Sequence, residues 1–287
     1  MAAEDGSALF SSYGFDNPNF VKLKRFCRKG IPPDQRAEIW LEISGAMERL
    51  QTYPGLYRSL LSQQPPQKLL NVILADVPRT YPENVHFRNP DDSDSKLHSL
   101  ERVLKAFAVK FPHIGYCQGF NYITAILLLV LHGRPEEVEE QAFWLLDALV
   151  NGILPSYYSD DMVSVRRDCM VLGELLRFTR FHSELVRFPS DSHFVQTTLR
   201  IFDCLFYEGD KILFRAGLAL IRLHRDQLLE CNEFPVLITA FRNMCRDKQT
   251  LWCHEFLQAL FSLSGSLSRS KISKLRVQCE SRVHEDR

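Results

Sequence analysis

From Tyr116 to His132 the chain is apolar on nearly every face that a helix would present. A helix of that character needs neighbours on all sides, so the stretch predicts a central helix covered all round. Its longest apolar run, Tyr122 to Leu131, spans ten residues, well short of the ~20 that a membrane-spanning helix requires. It reads as a buried core helix.

The rest of the chain supplies the covering elements. Gly30-Ile-Pro-Pro33 makes a turn, and Ala37, Trp40, Leu41, Ser44 and Met47 follow at helical spacing, predicting a first helix to about Leu50. A short second helix is expected over 55–63, and a third opens at Pro66, shows an apolar face of Leu69, Leu70, Ile73 and Leu74, and stops at Pro78. Ser93 or Asp94 is placed to cap the next helix, whose Leu97, Leu100, Leu104, Phe107 and Phe111 form one stripe up to Pro112. Further helices are expected from Pro135 to Val150, Asp161 to about Leu185, Thr197 to Phe206, Asp210 to Glu230, Asn232 to Cys245, Gln249 to Leu263 and Ser268 to Cys279. No alternating strand-like run appears, so the expected fold class is all-α, a multi-helix domain. Residues 1–29 are polar and mixed and read as a lead-in of low order, the domain proper as 30–263, and 264–287 as a C-terminal helix and tail.

Composition removes several function classes. With 45% hydrophobic residues the chain has ample material for a core, in one large domain or two small ones. The 35 Lys+Arg balance the 35 Asp+Glu, so no net field draws the chain to nucleic acid or an anionic membrane. Arg166-Arg167 and the Ser266 to Arg276 stretch, its densest basic pieces, read as solvated helix faces. The start lacks a basic region followed by an apolar stretch, so an intracellular, cytoplasmic protein is expected. The eight cysteines include no Cys-x-x-Cys pair and read as reduced, mostly buried thiols. His254-Glu255 begins like a zinc-protease motif, but Gln258 stands where the second histidine should be, and no metal site is expected.

Two strings at helix breaks carry the chemistry: Ile73-Leu-Ala-Asp76-Val-Pro-Arg79-Thr and Gly115-Tyr116-Cys-Gln118-Gly119. The residue before a proline is pushed out of the helical region, so Arg79 lies just beyond the third helix and can reach away from it. Gln118 lies at the mouth of the central helix, in its first turn. Asp76 sits in a last turn, where a carboxylate is unfavourable against the helix dipole, so it calls for a partner such as Arg79. Taken singly, Arg79 reads first as a structural residue satisfying helix-end carbonyls or pairing with Asp76, and Gln118 as a polar helix start. Taken together, a guanidinium that neutralises a transferring phosphate and a carboxamide that orients water suit assisted nucleotide hydrolysis. The glycines beside Gln118 would allow close approach of another backbone.

Three ordered strings carry a resemblance: Gly30-Ile-Pro-Pro-Asp-Gln-Arg36-x-x-x-Trp40, Ile73-x-x-Asp76-x-x-Arg79-Thr-x-Pro82 and Gly115-Tyr116-x-Gln118-Gly119-x-Asn121. They resemble the signature of TBC-domain GTPase-activating proteins, and the resemblance runs from about Gly30 to Leu263. It implies an activator, not itself an enzyme, that acts in trans on a Rab-family GTPase in the GTP-bound state. GTP and Mg would be bound by that partner, so no cofactor of its own is expected. Arg79 would be the arginine finger and Gln118 the glutamine finger. Asp76 would orient Arg79; Tyr116, Gly119 and Asn121 would support the glutamine loop; Arg36 and Trp40 would brace the scaffold. Localisation would be peripheral at endomembranes, in vesicle trafficking, through the Rab, with no nucleic acid and no direct membrane insertion.

The chain departs from the family between Leu185 and Thr197, where another aromatic-rich helix with a tryptophan is expected. Tryptophan occurs only at 40, 144 and 252. The domain reads as shortened near 186–196, as an alternative transcript would produce. The loss should expose apolar surface in the C-terminal half. The competing reading is therefore a catalytically inactive Rab-binding or scaffolding protein. Neither the Rab served nor the oligomeric state is legible.

Overall fold

The computed structural model describes residues 18–159, 161–176 and 192–285. Their regular elements are all helices, with no strand among the described residues. The chain divides into two compact units, residues 1–160 and 161–287.

The first unit opens on α1 (Pro18–Lys29), α2 (Pro33–Ile43), α3 (Ala46–Thr52) and α4 (Leu56–Leu61). Residues 18–29 therefore correct the expected lead-in of low order: α1 buries Cys27 completely and ends where the Gly30 amide donates to the Phe26 carbonyl (3.0 Å). Residues 1–17 lie outside the described residues. The predicted first helix to Leu50 is two helices. The chain breaks at Gly45 (φ 75°), and the Ser44 hydroxyl accepts the Ala46 amide (3.2 Å) to start α3. Then come α5 (Gln67–Asp76) with a 3-10 turn at Val77–Arg79, α6 (Leu97–Lys110), α7 (Phe120–Val130) and α8 (Pro135–Asp147), which runs on as a π-helix over Ala148–Ile153. Neither Ser93 nor Asp94 caps α6; the Ser95 hydroxyl accepts the Leu97 amide instead (3.4 Å).

Helices α6, α7 and α8 pack on one another, with α3 also against α8. Ala125, Leu127 and Leu128 of α7, Leu100, Val103 and Phe107 of α6 and Phe143 to Leu146 of α8 are all inaccessible. This is the central helix that the apolar run predicts. Among the described residues of this unit two carboxylates are buried, and both are partnered. Glu139 accepts from Arg102 Nε (2.9 Å) and Nη2 (2.5 Å), Ser99 (2.8 Å) and Tyr57 (3.0 Å), tying α4, α6 and α8 together. Burial pushes its pKa up, but the hydrogen bonds from Arg102 and Ser99, the Arg102 charge and the Tyr57 hydroxyl outweigh it and hold the carboxyl below the usual range. Asp147 pairs with Arg49 (2.8 Å) and accepts from Asn151 (2.7 Å). Lys110 lies 3.7 Å from it, over the Trp144 ring.

The second unit comprises α9 (Val163–Leu176), α10 (Ser192–Glu208), α11 (Lys211–Leu223), α12 (Arg225–Leu229), α13 (Phe234–Met244), α14 (Lys248–Leu251), α15 (Cys253–Ser262) and α16 (Arg269–Glu285). Two predicted helices are each broken in two, Asp210 to Glu230 at His224 and Gln249 to Leu263 at Trp252. Helix α16 is no appended tail. It packs on α9, and its Ile272 and Cys279 join Val171, Phe214, Leu218 and Leu267 in one core. Its basic stretch is a solvated face only in part: Arg269, Lys271 and Lys274 are exposed, but Arg276 reaches Asp168 (2.8 Å) and Asp210 (2.6 Å), and on α9 Arg167 reaches Glu280 (3.2 Å). Burying Asp168 makes that pairing obligatory. Of the eight free cysteines, 27, 204 and 279 are buried and five are partly exposed. The expected shortening near 186–196 falls largely on residues 177–191, outside the described residues. Leu229, Phe234, Val236 and Trp252 of the second unit are each more than half accessible, as are Tyr53 and Val85 of the first.

Candidate functional site

The two strings singled out in the sequence meet in the first unit. Helix α5 is tied to the core by Ile73, which is inaccessible. Pro78, lacking an amide proton, sits inside the 3-10 turn that ends it, and Arg79 closes that turn with its side chain exposed. Thr80 is extended and buried; its amide donates to the Val77 carbonyl (3.1 Å).

The glutamine string is a loop, not helix. Helix α7 starts at Phe120, so Gln118 lies in the turn before it rather than in its first turn as expected, and is exposed. Gly119 explains the difference: at φ 107° it holds a conformation that L side chains rarely adopt, and the helix can begin only after it. No atom of this chain stands within 4 Å of where a Cβ would be at Gly119, so within the chain it is the backbone turn that calls for glycine. Gly115 is the crowded one, with Leu69 of α5 2.8 Å from such a Cβ.

A hydrogen-bonded network joins the two loops. The Tyr116 hydroxyl donates to Asp76 Oδ2 at 2.9 Å, with Asn121 Oδ1 3.2 Å away. Asn121, buried at the start of α7, donates through Nδ2 to Thr80 Oγ1 (2.8 Å) and accepts the Gly119 amide at Oδ1 (3.2 Å). The Thr80 hydroxyl donates to the Asp76 carbonyl (2.9 Å). Asp76 therefore finds its partner in Tyr116 across the site, and among the described residues it forms no ion pair with Arg79. Burial, reinforced by the hydrogen bond and charge of Asp76, pushes the Tyr116 phenol well above its ordinary pKa, so it stays a donor at neutral pH.

Aromatic packing fixes the floor beneath this network. Phe120 lies edge-on to Phe107 (5.5 Å), Tyr116 (6.2 Å) and Tyr158 (4.7 Å). Of the two scaffold candidates, Trp40 is inaccessible, and the buried Arg36 donates to the Ile31 carbonyl (2.8 Å). Sequence reasoning missed Thr80, Tyr81 and Tyr122. Thr80 carried a signal, since a threonine just past a helix end can bond back to the carbonyl four residues earlier. Tyr81 carried none: it is buried at φ 44°, with its ring edge-on to Tyr122 (5.2 Å), whose hydroxyl stands 3.5 Å from the Arg79 carbonyl.

The site thus offers one exposed guanidinium and one exposed carboxamide on two loops braced against each other. A guanidinium carries hydrogen-bond donors only and a carboxamide both donors and an acceptor, so the site suits charge stabilisation and orientation. Among the described residues, no group of three or more His, Cys, Asp or Glu could hold a metal ion, and no helix is long and apolar enough to cross a membrane.

Comparison with known proteins gives the chain a family. The model of the Rab-GTPase-TBC domain matches residues 33–187 and 187–229. Growth hormone-regulated TBC protein 1 of Homo sapiens is 38% identical over 283 residues, covering 93% of this chain and 82% of that protein. Growth hormone-regulated TBC protein 6 of Caenorhabditis elegans is 32% identical over 289 residues, covering 94% and 82%. The crystal structure of the Chlamydomonas flagellar RabGAP TBC domain superposes with a TM-score of 0.65 at 26% identity, over 91% of this chain and 88% of that one. The Ypt/Rab-GAP domain of Gyp1p, with a TM-score of 0.64 at 17% identity over 90% and 97%, shares the fold. The matched residues include both loops and the helices that carry them, and the chain belongs to the Rab-GTPase-TBC domain family.

Proposed function

We propose that this chain accelerates GTP hydrolysis on a Rab-family GTPase in its GTP-bound state, with Arg79 and Gln118 entering the partner's nucleotide site. The observation that carries the reading is their presentation: both side chains are exposed, while buried Thr80 and Asn121 and half-buried Asp76 and Tyr116 bond across the two loops. Arg79 would stabilise charge developing between the β- and γ-phosphates. Gln118 would orient the attacking water. The GTP and its magnesium belong to the partner, and an arginine supplied in this way is worth about 10³ to 10⁵ in rate. Membrane association would then come through the Rab.

Single-turnover GTP hydrolysis on a panel of Rab proteins, with Arg79→Ala and Gln118→Ala beside the parent chain, tests this. Acceleration by the parent that both variants lose supports the reading; acceleration that survives either substitution refutes it. A second reading, binding without acceleration, draws support from two observations. The family model matches in two stretches that meet at residue 187, in keeping with a shortened domain, and Leu229, Phe234, Val236 and Trp252 stand exposed in the C-terminal unit. A parent chain that is folded, binds a GTP-loaded Rab and accelerates none of the panel supports that alternative.

A further inference from the structure

We propose that Thr80 is a positioning residue that locks the arginine loop to the glutamine loop, so that Arg79 and Gln118 are presented as one rigid pair. The consequence for rate rests on the two-finger reading above; the coupling itself does not. Thr80 is inaccessible and Asn121 nearly so. Its hydroxyl works in both directions at once, donating to the Asp76 carbonyl at 2.9 Å and accepting from Asn121 Nδ2 at 2.8 Å. One hydroxyl proton and its lone pairs suffice for both bonds. Asn121 carries the connection onward, since its Oδ1 holds the Gly119 amide at 3.2 Å. That amide belongs to the peptide linking Gln118 to Gly119. Thr80 in turn is joined directly to Arg79. A line of three hydrogen bonds therefore runs from the end of α5 to the peptide of Gln118, passing through the residue next to Arg79.

The backbone around Thr80 shows why such a lock is needed. Tyr81 occupies φ 44°, unusual for a bulky side chain, and it is buried with no partner for its phenol oxygen among the described residues. A residue in that conformation persists only where its surroundings over-determine it. On one side the Tyr81 ring is held by Tyr122 and Phe87 (6.4 Å). On the other, the strained turn is held by the doubly bonded Thr80 hydroxyl. Removing that hydroxyl leaves Asn121 Nδ2 without its buried acceptor and frees the turn to relax, which moves Arg79 and releases the Gly119 amide together. Valine keeps the branched shape but can make neither bond. Serine can make both.

The test compares the parent full-length chain with Thr80→Val, Thr80→Ser, Arg79→Ala and Gln118→Ala. It measures kcat and KM for GTP hydrolysis on an accelerated Rab, and amide hydrogen exchange on the free chain. Thr80→Val should lower kcat by about 10- to 100-fold with KM within about threefold, because orientation rather than docking is lost. It should speed exchange of the Gly119 amide at least about tenfold while the amides of α8 keep parental protection. Thr80→Ser should restore both. Parental kcat and parental Gly119 exchange in Thr80→Val would overturn the proposal. So would a fall in kcat accompanied by faster exchange throughout α6 to α8, which marks general destabilisation. Should Thr80→Val not fold, exchange in the parent chain decides: the Thr80 and Gly119 amides opening at one common rate supports the lock, and independent opening overturns it. If Arg79→Ala and Gln118→Ala leave acceleration intact, the two-finger reading fails, and the Gly119 response to Thr80→Val still decides the coupling.

Discussion

Replacing Tyr116 by phenylalanine removes a single oxygen from the site, and its cost can be worked from the structure. The ring keeps its edge-on contact with Phe120, so no cavity opens. What is lost is a 2.9 Å hydrogen bond to the Asp76 carboxylate. A bond to a charged group contributes about 1.5 to 3 kcal/mol. Both partners are only half-buried, so water can replace the missing donor and the low end, about 1.5 kcal/mol, applies. If the two loops must be held in place for reaction, that sum appears as a rate roughly tenfold lower. Because burial and Asp76 hold the phenol above its ordinary pKa, the effect should not vary across pH 6 to 8, a range set by the ordinary tyrosine value of about 10. The assay is single-turnover GTP hydrolysis on an accelerated Rab at several pH values, with urea unfolding in parallel. A rate within twofold of the parent, or unfolding unchanged to within about 0.5 kcal/mol, would refute the claim that this hydroxyl braces the loops.

Three further outcomes follow from the same network and its scaffold. Glu139→Gln should destabilise the first unit by about 1 to 3 kcal/mol, because it removes the charge that Arg102 faces across the core boundary while Arg102 itself can still reach water; urea unfolding followed by hydrogen exchange in α6 and α8 reads it, and parental protection there contradicts the assignment. The folded state holds the Glu139 carboxyl below its ordinary value of 4.5, so its contribution is present above that value and is lost as pH falls through the depressed one. The parent should therefore lose stability more steeply than Glu139→Gln in acid, and parallel pH profiles would count against the depressed carboxyl. Gly119→Ala meets open space but must adopt φ 107°, a strain of about 1 to 3 kcal/mol; faster exchange in residues 117–121 with unchanged protection in α8 is expected, and an unperturbed loop would show that the glycine is not required there.

The helical class was legible because burial leaves a three-to-four residue period that survives local irregularity. For the same reason the breaks were not legible. The apolar stripe runs straight through Gly45, His224 and Trp252, since two short helices at an angle can bury nearly the same residues as one long one. The central helix was read four residues too long at its start for a related reason: Tyr116 is partly buried like the helix that follows it, and only the positive φ of Gly119 marks the boundary. Helix α1 escaped because its turn residues, Gly14, Asn17 and Pro18, dominate a segment whose helix is anchored by Cys27.

The site divides along a similar line. Proline and glycine dictate local backbone, so the exposure of Arg79 and Gln118 at two breaks could be argued from the residues beside them. Partners across a fold obey no such local rule. Asp76 needed a donor at its helix end, and Arg79, three residues away, was the nearest one that sequence could offer. The donor it found is Tyr116, forty positions along the chain. This exchange of partners matters chemically. A guanidinium bound to Asp76 would have its charge offset and its side chain turned inward, whereas a carboxylate satisfied by a phenol leaves Arg79 exposed. The substitution of Tyr116 for Arg79 as the partner of Asp76 is what lets a buried network end in an available positive charge.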